Sequence, residues 1–287
     1  MMRDSPLLGT IASCEAPFRT PPGHMTVLPE LGLVRSGELD EVLAAVDYDH
    51  APYAGGTELV PAMGLGLRRP AAIVDLKRVE ALKGIAVDGG AGSVTIGAAV
   101  THRRLSDDPR VQEHLPTLAV AASRVGNARV RSTGTVGGNL CFAEPRSDLG
   151  CVLVALGAAA EIRSAGGART VGVDELIVGA FETSLAENEI LVSVTVPFEP
   201  AGMSYWKLQS YERPTLGVAL VASDSQWEVT VGAATERPTR AVLAAGDAAG
   251  LIAFIDGLEL SDDMTGPPDY KRSVLRAYLE RVLRVAL

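Results

Sequence analysis

The sequence has few of the residues that build disulfide frameworks or metal centres. It contains three cysteines and four histidines among 287 residues. Cys14, Cys141 and Cys151 are widely spaced and form no C-x-x-C pair, which argues against disulfides and against a zinc or iron–sulfur site within the chain. No histidine lies at metal-ligand spacing from a cysteine or carboxylate, and neither H-E-x-x-H nor G-x-S-x-G occurs. The sequence therefore predicts no metal site and no catalytic residue of its own.

Positive charge and long apolar runs are also scarce. The formal net charge is -9 and the pI is near 5.0, which argues against a nucleic-acid partner because a polyanion requires a basic face. The longest uncharged apolar stretch near the centre, residues 149–160, is too short to span a bilayer. Residues 1–22 contain no continuous apolar segment of the signal-peptide kind. We expect no membrane span and a cytoplasmic location.

Glycine, in contrast, is concentrated in two segments far apart in the chain. Residues 54–59 read A-G-G-T-E-L, and residues 133–140 read T-G-T-V-G-G-N-L. Glycine lets the backbone adopt positive φ and approach a ligand without an intervening Cβ. Successive N–H groups in such a turn form an anion-binding concavity. We predict that both segments are loops and that they bring backbone N–H groups against a phosphate or a flavin ring.

Two polar residues extend the second segment. Asn139 can donate and accept hydrogen bonds at once, which suits the mixed edge of a flavin or a ribityl chain. Asp148 follows Pro145 and opens an apolar segment, where it has two interpretations. It is either the N-cap of a helix, a position that favours Asp, or a carboxylate that accepts hydrogen bonds from ligand hydroxyls. The sequence leaves both open.

Hydrophobic patterning predicts a chain that contains both helices and strands. Short apolar or alternating runs bounded by turn residues indicate a buried strand, two hairpins and a later group of strands. The predicted strands are residues 71–76, 84–87, 93–97, 160–163, 169–171, 190–197, 204–208, 217–222 and 227–232. The predicted helices are residues 39–46, 101–105, 109–125, about 149–160, 240–255 and 270–286. Strands followed by helices after residue 200 indicate a small second domain.

The motifs occur in an order that resembles one known family. They are A-G-G-T-E-L at 54–59, P-A-A-I-V-D-L at 70–76, T-I-G-A at 95–98, V-R-S-T-G-T-V-G-G-N-L at 130–140, P-R-S-D at 145–148, E-I-L and V-P within 189–197, Lys207, and Y-K-R at 270–272. Together they resemble the FAD-binding medium subunit of the molybdenum hydroxylases, the group of carbon monoxide dehydrogenase and xanthine dehydrogenase. The resemblance covers about residues 25–287.

The resemblance implies an α+β fold and a division of the chain. Residues 25–200 would form a two-lobed FAD-binding domain of the vanillyl-alcohol-oxidase type, residues 201–287 a small C-terminal α+β domain, and residues 1–24 an extension. It implies noncovalent FAD as the cofactor. It also implies an oxidoreductase heterotrimer with a molybdenum-cofactor large subunit and a [2Fe–2S] small subunit, in which this chain passes electrons from the iron–sulfur partner to an external acceptor.

The resemblance also implies a set of FAD contacts. They are Ala54, Gly55, Gly56, Thr57, Glu58, Leu59, Thr135, Gly137, Gly138, Asn139, Asp148, Leu191 and Lys207. Leu191 and Lys207 would lie nearer the isoalloxazine ring, where a cation would favour the reduced flavin. From the residues alone, a core strand position is the favoured interpretation of Leu191, and a surface lysine is also compatible with Lys207. Two other functions stay open, a stand-alone flavin oxidoreductase of the same fold and a nucleotide-binding module without a redox role.

Overall fold

The computed structural model describes residues 30–209 and 212–286, with side chains as far as residue 281. The predicted extension, residues 1–24, lies outside the described residues. The helices are α1 (Leu39–Ala45), α2 (Leu59–Gly64), α3 (His102–Asp107), α4 (Pro109–His114), α5 (Pro116–Ser123), α6 (Ala128–Thr133), α7 (Val136–Phe142), α8 (Asp148–Ala155), α9 (Val173–Leu176), α10 (Ala248–Gly257) and α11 (Pro268–Ala286). The strands are β1 (Gly32–Arg35), β2 (His50–Tyr53), β3 (Ala72–Asp75), β4 (Ile85–Asp88), β5 (Ser93–Gly97), β6 (Ala159–Ser164), β7 (Gly167–Gly172), β8 (Ile177–Gly179), β9 (Glu182–Thr183), β10 (Ile190–Pro197), β11 (Met203–Leu208), β12 (Leu216–Ala222), β13 (Gln226–Gly232) and β14 (Thr239–Ala244).

A small parallel sheet forms the first part of the fold. Its strand order is β1-β3-β2, and β3 is the buried strand that the apolar run 71–76 predicts. Val74 of β3 packs with Val42 of α1, and both side chains are fully buried. Because the strands are parallel, Arg35, Asp75 and Tyr53 lie side by side at their carboxyl ends. The first glycine segment leaves the sheet at this edge.

A five-stranded antiparallel sheet follows, in the order β4-β5-β10-β6-β7. The two predicted hairpins, β4–β5 and β6–β7, form its two ends. The predicted strand 190–197 is β10, which pairs with β5 on one side and β6 on the other. Helices α3, α4, α5, α7 and α8 contribute apolar side chains to the same core as this sheet, and Leu105, Leu118 and Leu153 are among the buried members.

The last part of the fold is a four-stranded antiparallel sheet in the order β11-β12-β13-β14. Its first three strands coincide with the predicted strand group. Helices α10 and α11 pack on it through Leu251, Ile255 and Leu275. Helix α8 joins the two halves, because Cys151 lies against Gly232 so closely that a Cβ there would come within 2.9 Å of the Cys151 Cβ. No helix in the described ranges is long and apolar enough to cross a membrane.

Two helix predictions are wrong, and the first concerns residues 109–125. The chain forms two helices there, α4 and α5, rather than one. Pro116 disfavours the helical conformation at the preceding residue, and Leu115 adopts φ -140 and ψ 53. A proline inside a helical pattern thus ends one helix and begins the next.

The second wrong prediction is the helix at residues 240–255. Residues 239–244 form β14, in which Thr239, Ala241 and Leu243 are half-buried and alternate with exposed residues. Such period-two burial is typical of a strand. A turn follows at Gly246, whose φ is +80, and α10 begins only after Asp247, whose carboxylate accepts a hydrogen bond from the Gly250 amide at 2.8 Å.

Candidate functional site

The first glycine segment forms a loop that connects β2 to α2. Gly56 has φ +70, a region that side-chain-bearing residues rarely adopt. A Cβ on Gly55 would lie 2.2 Å from the Thr133 carbonyl oxygen, so only glycine permits this approach of the two backbones. The amides of Gly55, Gly56 and Thr57 donate to no acceptor in residues 30–209 or 212–286. Three successive amides therefore remain available to an anionic ligand.

The second glycine segment is largely helical, and its prediction as a loop is wrong. Residues 136–142 form α7, and Thr135 is its N-cap, with its hydroxyl accepting a hydrogen bond from the Gly138 amide at 3.0 Å. The Gly137 amide donates to the Ala98 carbonyl at 2.8 Å, and that of Val136 donates to Val100. These amides are thus satisfied within the protein, so the segment does not offer the row of free N–H groups that we predicted.

The two glycines of α7 differ in their surroundings. A Cβ on Gly137 would lie 2.6 Å from the Ala98 Cβ, so this glycine allows α7 to pack against the residues after β5. Gly138 is exposed, and a Cβ there would meet only the Thr135 hydroxyl, at 3.0 Å. The packing of the protein therefore does not explain why residue 138 lacks a side chain. A ligand that approaches the backbone closely at this point would require the absence of a side chain.

Asn139 presents its side chain beside this bare surface. Its Oδ1 accepts a hydrogen bond from the Ser147 hydroxyl at 2.7 Å. Its Nδ2 group has no hydrogen-bond partner among the residues whose side chains are described. The contact with Ser147 fixes the orientation of the amide and leaves two donors for a ligand.

Asp148 is not an N-cap, because Ser147 occupies that position and accepts a hydrogen bond from the Gly150 amide at 3.3 Å. The Asp148 carboxylate is 5% exposed and accepts hydrogen bonds from the Tyr205 hydroxyl at 2.6 Å and the Lys207 ammonium at 2.8 Å. Burial, together with the neighbouring Cys151 and Asp148, raises the pKa of Tyr205 well above its usual value, so the phenol stays a donor. The three side chains join α8 to β11.

Two further sequence interpretations concern Lys207 and Leu191. The Lys207 side chain is only 10% exposed, so its interpretation as a surface lysine is wrong. Leu191 is 3% exposed and belongs to the core of the five-stranded sheet, to which α7 also contributes Leu140. A flavin contact by Leu191 stays a prediction.

Sequence reasoning did not identify Tyr205, Glu144 or Arg213 as site residues. Arg213 lies between β11 and β12, and its guanidinium contacts Glu58 of the first loop at 2.7 Å and Glu144 at 2.9 Å. Glu144 lies between α7 and α8. No sequence pattern signals these contacts, because the partners of Arg213 lie far from it along the chain. Arg213 thus connects the first glycine segment, and the connection between α7 and α8, to the last sheet.

His102, the first residue of α3, lies against the start of the second segment. A Cβ on Gly134 would be 3.1 Å from the His102 Nε2, and the imidazole Nδ1 is buried without a hydrogen-bond partner. Burial lowers the pKa of His102 from 6.5 to about 4. The folded protein therefore holds this imidazole neutral across the physiological range.

This burial predicts a contribution to the pH dependence of stability. Below its ordinary pKa of 6.5 the unfolded chain protonates His102, whereas the folded chain does so only near pH 4. The free energy of unfolding should therefore fall by about 3 kcal/mol as the pH falls through this window, with no further loss from His102 below it. Urea unfolding at about pH 7 and about pH 4.5 should give a smaller difference for His102→Gln than for the wild type. An equal difference would contradict the assignment.

The arrangement at the two glycine segments defines a class of protein. Three free amides lie at the carboxyl edge of a parallel sheet, in a loop that packs against Thr133 and Gly134; the helix that follows these two residues carries the exposed Gly138 and the free donors of Asn139. These features fit a dinucleotide that carries a pyrophosphate and a polyhydroxyl chain. No group of three or more metal-binding side chains occurs in the part of the chain that the structure describes. The class is that of the FAD-binding proteins.

The chain belongs to the family described as FAD binding domain in molybdopterin dehydrogenase, whose model matches residues 29–199. It is 30% identical over 275 residues to the carbon monoxide dehydrogenase medium chain of Hydrogenophaga pseudoflava, covering 87% of this chain and 93% of that one. It is 29% identical over 265 residues to the nicotine 6-hydroxylase medium subunit of Paenarthrobacter nicotinovorans, covering 84% of this chain and 91% of that one. Among solved structures, quinoline 2-oxidoreductase from Pseudomonas putida 86 matches with a TM-score of 0.82 and 27% identity, covering 91% of this chain and 98% of that one.

These likenesses confirm the family and the fold that the motifs predict. The chain is an FAD-binding medium subunit of the molybdenum hydroxylase family, its cofactor is FAD, and it is an oxidoreductase subunit. Its α+β architecture is that of the FAD domains of carbon monoxide dehydrogenase and quinoline oxidoreductase.

Proposed function

We propose that this chain accepts electrons from a [2Fe–2S] small subunit and passes them to an external acceptor, while a large molybdenum-cofactor subunit oxidises the substrate. FAD, when bound, supplies the redox chemistry for this transfer. The observation that carries the proposal is the row of free amides at Gly55, Gly56 and Thr57, in a loop that packs against the residues that precede α7. The relatives' designation as medium chains or medium subunits supports partners of this kind. A cytoplasmic location is part of the same proposal.

In this proposal the two glycine segments hold different parts of FAD. The first loop and the start of α2, residues 54–59, bind the pyrophosphate through backbone amides. In α7, Thr135 and Gly137 fix the position of the helix, Gly138 leaves room for the cofactor, and Asn139 donates hydrogen bonds from its side chain. The second segment therefore contributes shape and side-chain donors rather than free amides.

In this proposal a third group of side chains lines the FAD site, the hydrogen-bonded cluster of Asp148, Tyr205 and Lys207. The Lys207 ammonium and the Asp148 carboxylate are 2.8 Å apart and form a neutral pair, so together they add little net positive charge near a flavin. Each Asp148 oxygen already accepts one hydrogen bond and retains a second lone pair for a ligand hydroxyl. We infer that this group orients FAD mainly through directional hydrogen bonds.

The substrate is not specified by this site. The similar proteins are named for carbon monoxide, a diatomic gas, and for nicotine and quinoline, which are nitrogen heterocycles, although their medium subunits or FAD domains are similar to this chain. We propose that substrate choice lies in the large subunit. The contribution of this chain is then to bind FAD and to expose it to an electron donor and an acceptor.

An anaerobic mixing experiment tests the transfer. The FAD-loaded chain is mixed with a reduced [2Fe–2S] small subunit from the same source, and the visible flavin absorbance is followed. We expect the flavin to bleach at a rate that saturates with partner concentration. If the partner fails to bleach the flavin, the proposed direction of transfer is wrong. If the substrate of the complex bleaches it with no partner present, the chain acts as a stand-alone flavin oxidoreductase instead.

A further inference from the structure

Arg213 lies in the connection between β11 and β12 and is the residue that forms ion pairs in the described part of that connection. Its guanidinium reaches Glu58 at 2.7 Å and Glu144 at 2.9 Å through different nitrogens. Glu144 in turn accepts a hydrogen bond from the Arg146 Nε at 3.0 Å. Glu58 closes the first glycine loop, and Glu144 lies between α7 and α8. A planar guanidinium that binds two carboxylates at once fixes the distance between them.

The charges of this cluster argue against direct phosphate binding by Arg213. Two arginines and two glutamates compensate each other, so the cluster offers no net positive charge to a pyrophosphate. Two nitrogens of the Arg213 guanidinium already point at carboxylates. The remaining function for the cluster is mechanical, because it holds the end of the first loop against the segment that follows α7.

The start of the same loop is held independently. The backbone at Gly55 lies so close to Thr133 that a Cβ would come within 2.2 Å of its carbonyl oxygen. Glu58, in contrast, has no side-chain capping contact with α2, and Arg213 is its ion-pair partner. The amides of Gly56 and Thr57 lie between these two points. A loop held at both ends loses less conformational entropy when it binds a ligand.

We propose that Arg213 is a positioning residue for FAD: by bridging Glu58 and Glu144 it holds the first loop in the arrangement that binds the pyrophosphate. This inference rests on the proposed assignment of the site. The last sheet thereby takes part in cofactor binding through a residue that does not touch the cofactor.

The test compares FAD affinities of full-length variants. Arg213→Met should raise the Kd for FAD about 10-fold, measured by flavin fluorescence on the apoprotein. Arg213→Lys should raise the Kd for FAD by a smaller factor, because an ammonium keeps the positive charge. Some loss of affinity should remain, because an ammonium cannot bind two carboxylates in one plane. The matched control is Arg240→Met, which removes an ion pair with Glu228 on the same sheet from a side chain of similar exposure, 37% against 35%. The control should leave the Kd unchanged.

A double variant separates positioning from general stabilisation. If Arg213 acts through Glu58, Glu58→Gln should add little further loss in the Arg213→Met background, and the apoprotein Tm of Arg213→Met should match that of Arg240→Met. An unchanged Kd in Arg213→Met would overturn the inference. So would a double variant whose Kd rises by the product of the two single-variant factors. Either result leaves the site assignment intact. A wild-type chain that binds no FAD would overturn the assignment and the inference together.

Discussion

Replacing Gly138 with leucine is expected to abolish FAD retention while the apoprotein stays folded. Gly138 is exposed at the start of α7, and a Cβ there meets only the Thr135 hydroxyl, which must shift by a few tenths of an ångström. Leucine also has a higher helix propensity than glycine. The isobutyl group would occupy the surface that FAD approaches, so the Kd should rise by at least about 100-fold. Flavin fluorescence titration and a thermal melt of the apoprotein measure both quantities.

Two other glycines provide the controls for this experiment. Gly257→Leu places the same side chain at an exposed helical glycine with no heavy atom within 4 Å of its Cβ, and should leave FAD binding unchanged. Gly137→Ala should destabilise the apoprotein by about 1–3 kcal/mol, because its Cβ would overlap Ala98. If Gly138→Leu binds FAD as tightly as Gly257→Leu, the cofactor does not approach α7 at this point.

Replacing Asp148 with alanine should cost about 3–5 kcal/mol in the free energy of unfolding. The carboxylate is 5% exposed and is the partner of the Lys207 ammonium, whose side chain is 10% exposed. Its removal would leave a buried cation without a counter-charge and the Tyr205 hydroxyl without its acceptor. Urea unfolding of the apoprotein at neutral pH measures this loss.

A second substitution identifies the cause of that loss. In Asp148→Ala, the further change Lys207→Met removes the uncompensated cation and should restore a large part of the lost stability. Lys77→Met is a suitable control, because Lys77 is 51% exposed and its contact with Asp75 is 3.8 Å long. Equal stability of the wild type and Asp148→Ala, or no recovery in the double variant, would contradict the buried ion pair.

Much of the fold could be predicted because it follows from local patterns. The hairpins β4–β5 and β6–β7 have turn residues between short apolar runs, and β3 is a short apolar run after Pro70. The first loop was predictable for a similar reason, since Gly56 needs its positive φ and Gly55 its close backbone contact. The order of the motifs along the chain then indicated the family.

The split of residues 109–125 follows from Pro116, a local signal, whereas two other errors arise where a non-local contact decides the outcome. Residues 239–244 have a composition compatible with a helix, but pairing with β13 makes them a strand. Gly137 and Gly138 are poor helix formers, yet the Thr135 cap and the carbonyls of Ala98 and Val100 satisfy the first turn of α7. Helix propensity was overridden by tertiary packing in both places.

The polar contacts of the site were the least predictable part. Asp148 meets Tyr205 and Lys207, which follow it by 57 and 59 residues, and Arg213 meets Glu58 across 155 residues. A single sequence carries no signal for such pairs, because each residue alone is compatible with a solvated surface position. Only the docking of the last sheet onto α8 brings them together.

Reconstitution with FAD tests the central assignment most directly. The full-length chain is incubated with FAD, free cofactor is removed by gel filtration, and the visible spectrum of the protein fraction is recorded. The two glycine segments, with three free amides in the first and a bare surface in the second, predict that the fraction is yellow and carries a stoichiometric amount of flavin. A protein fraction that stays colourless after incubation would contradict the assignment.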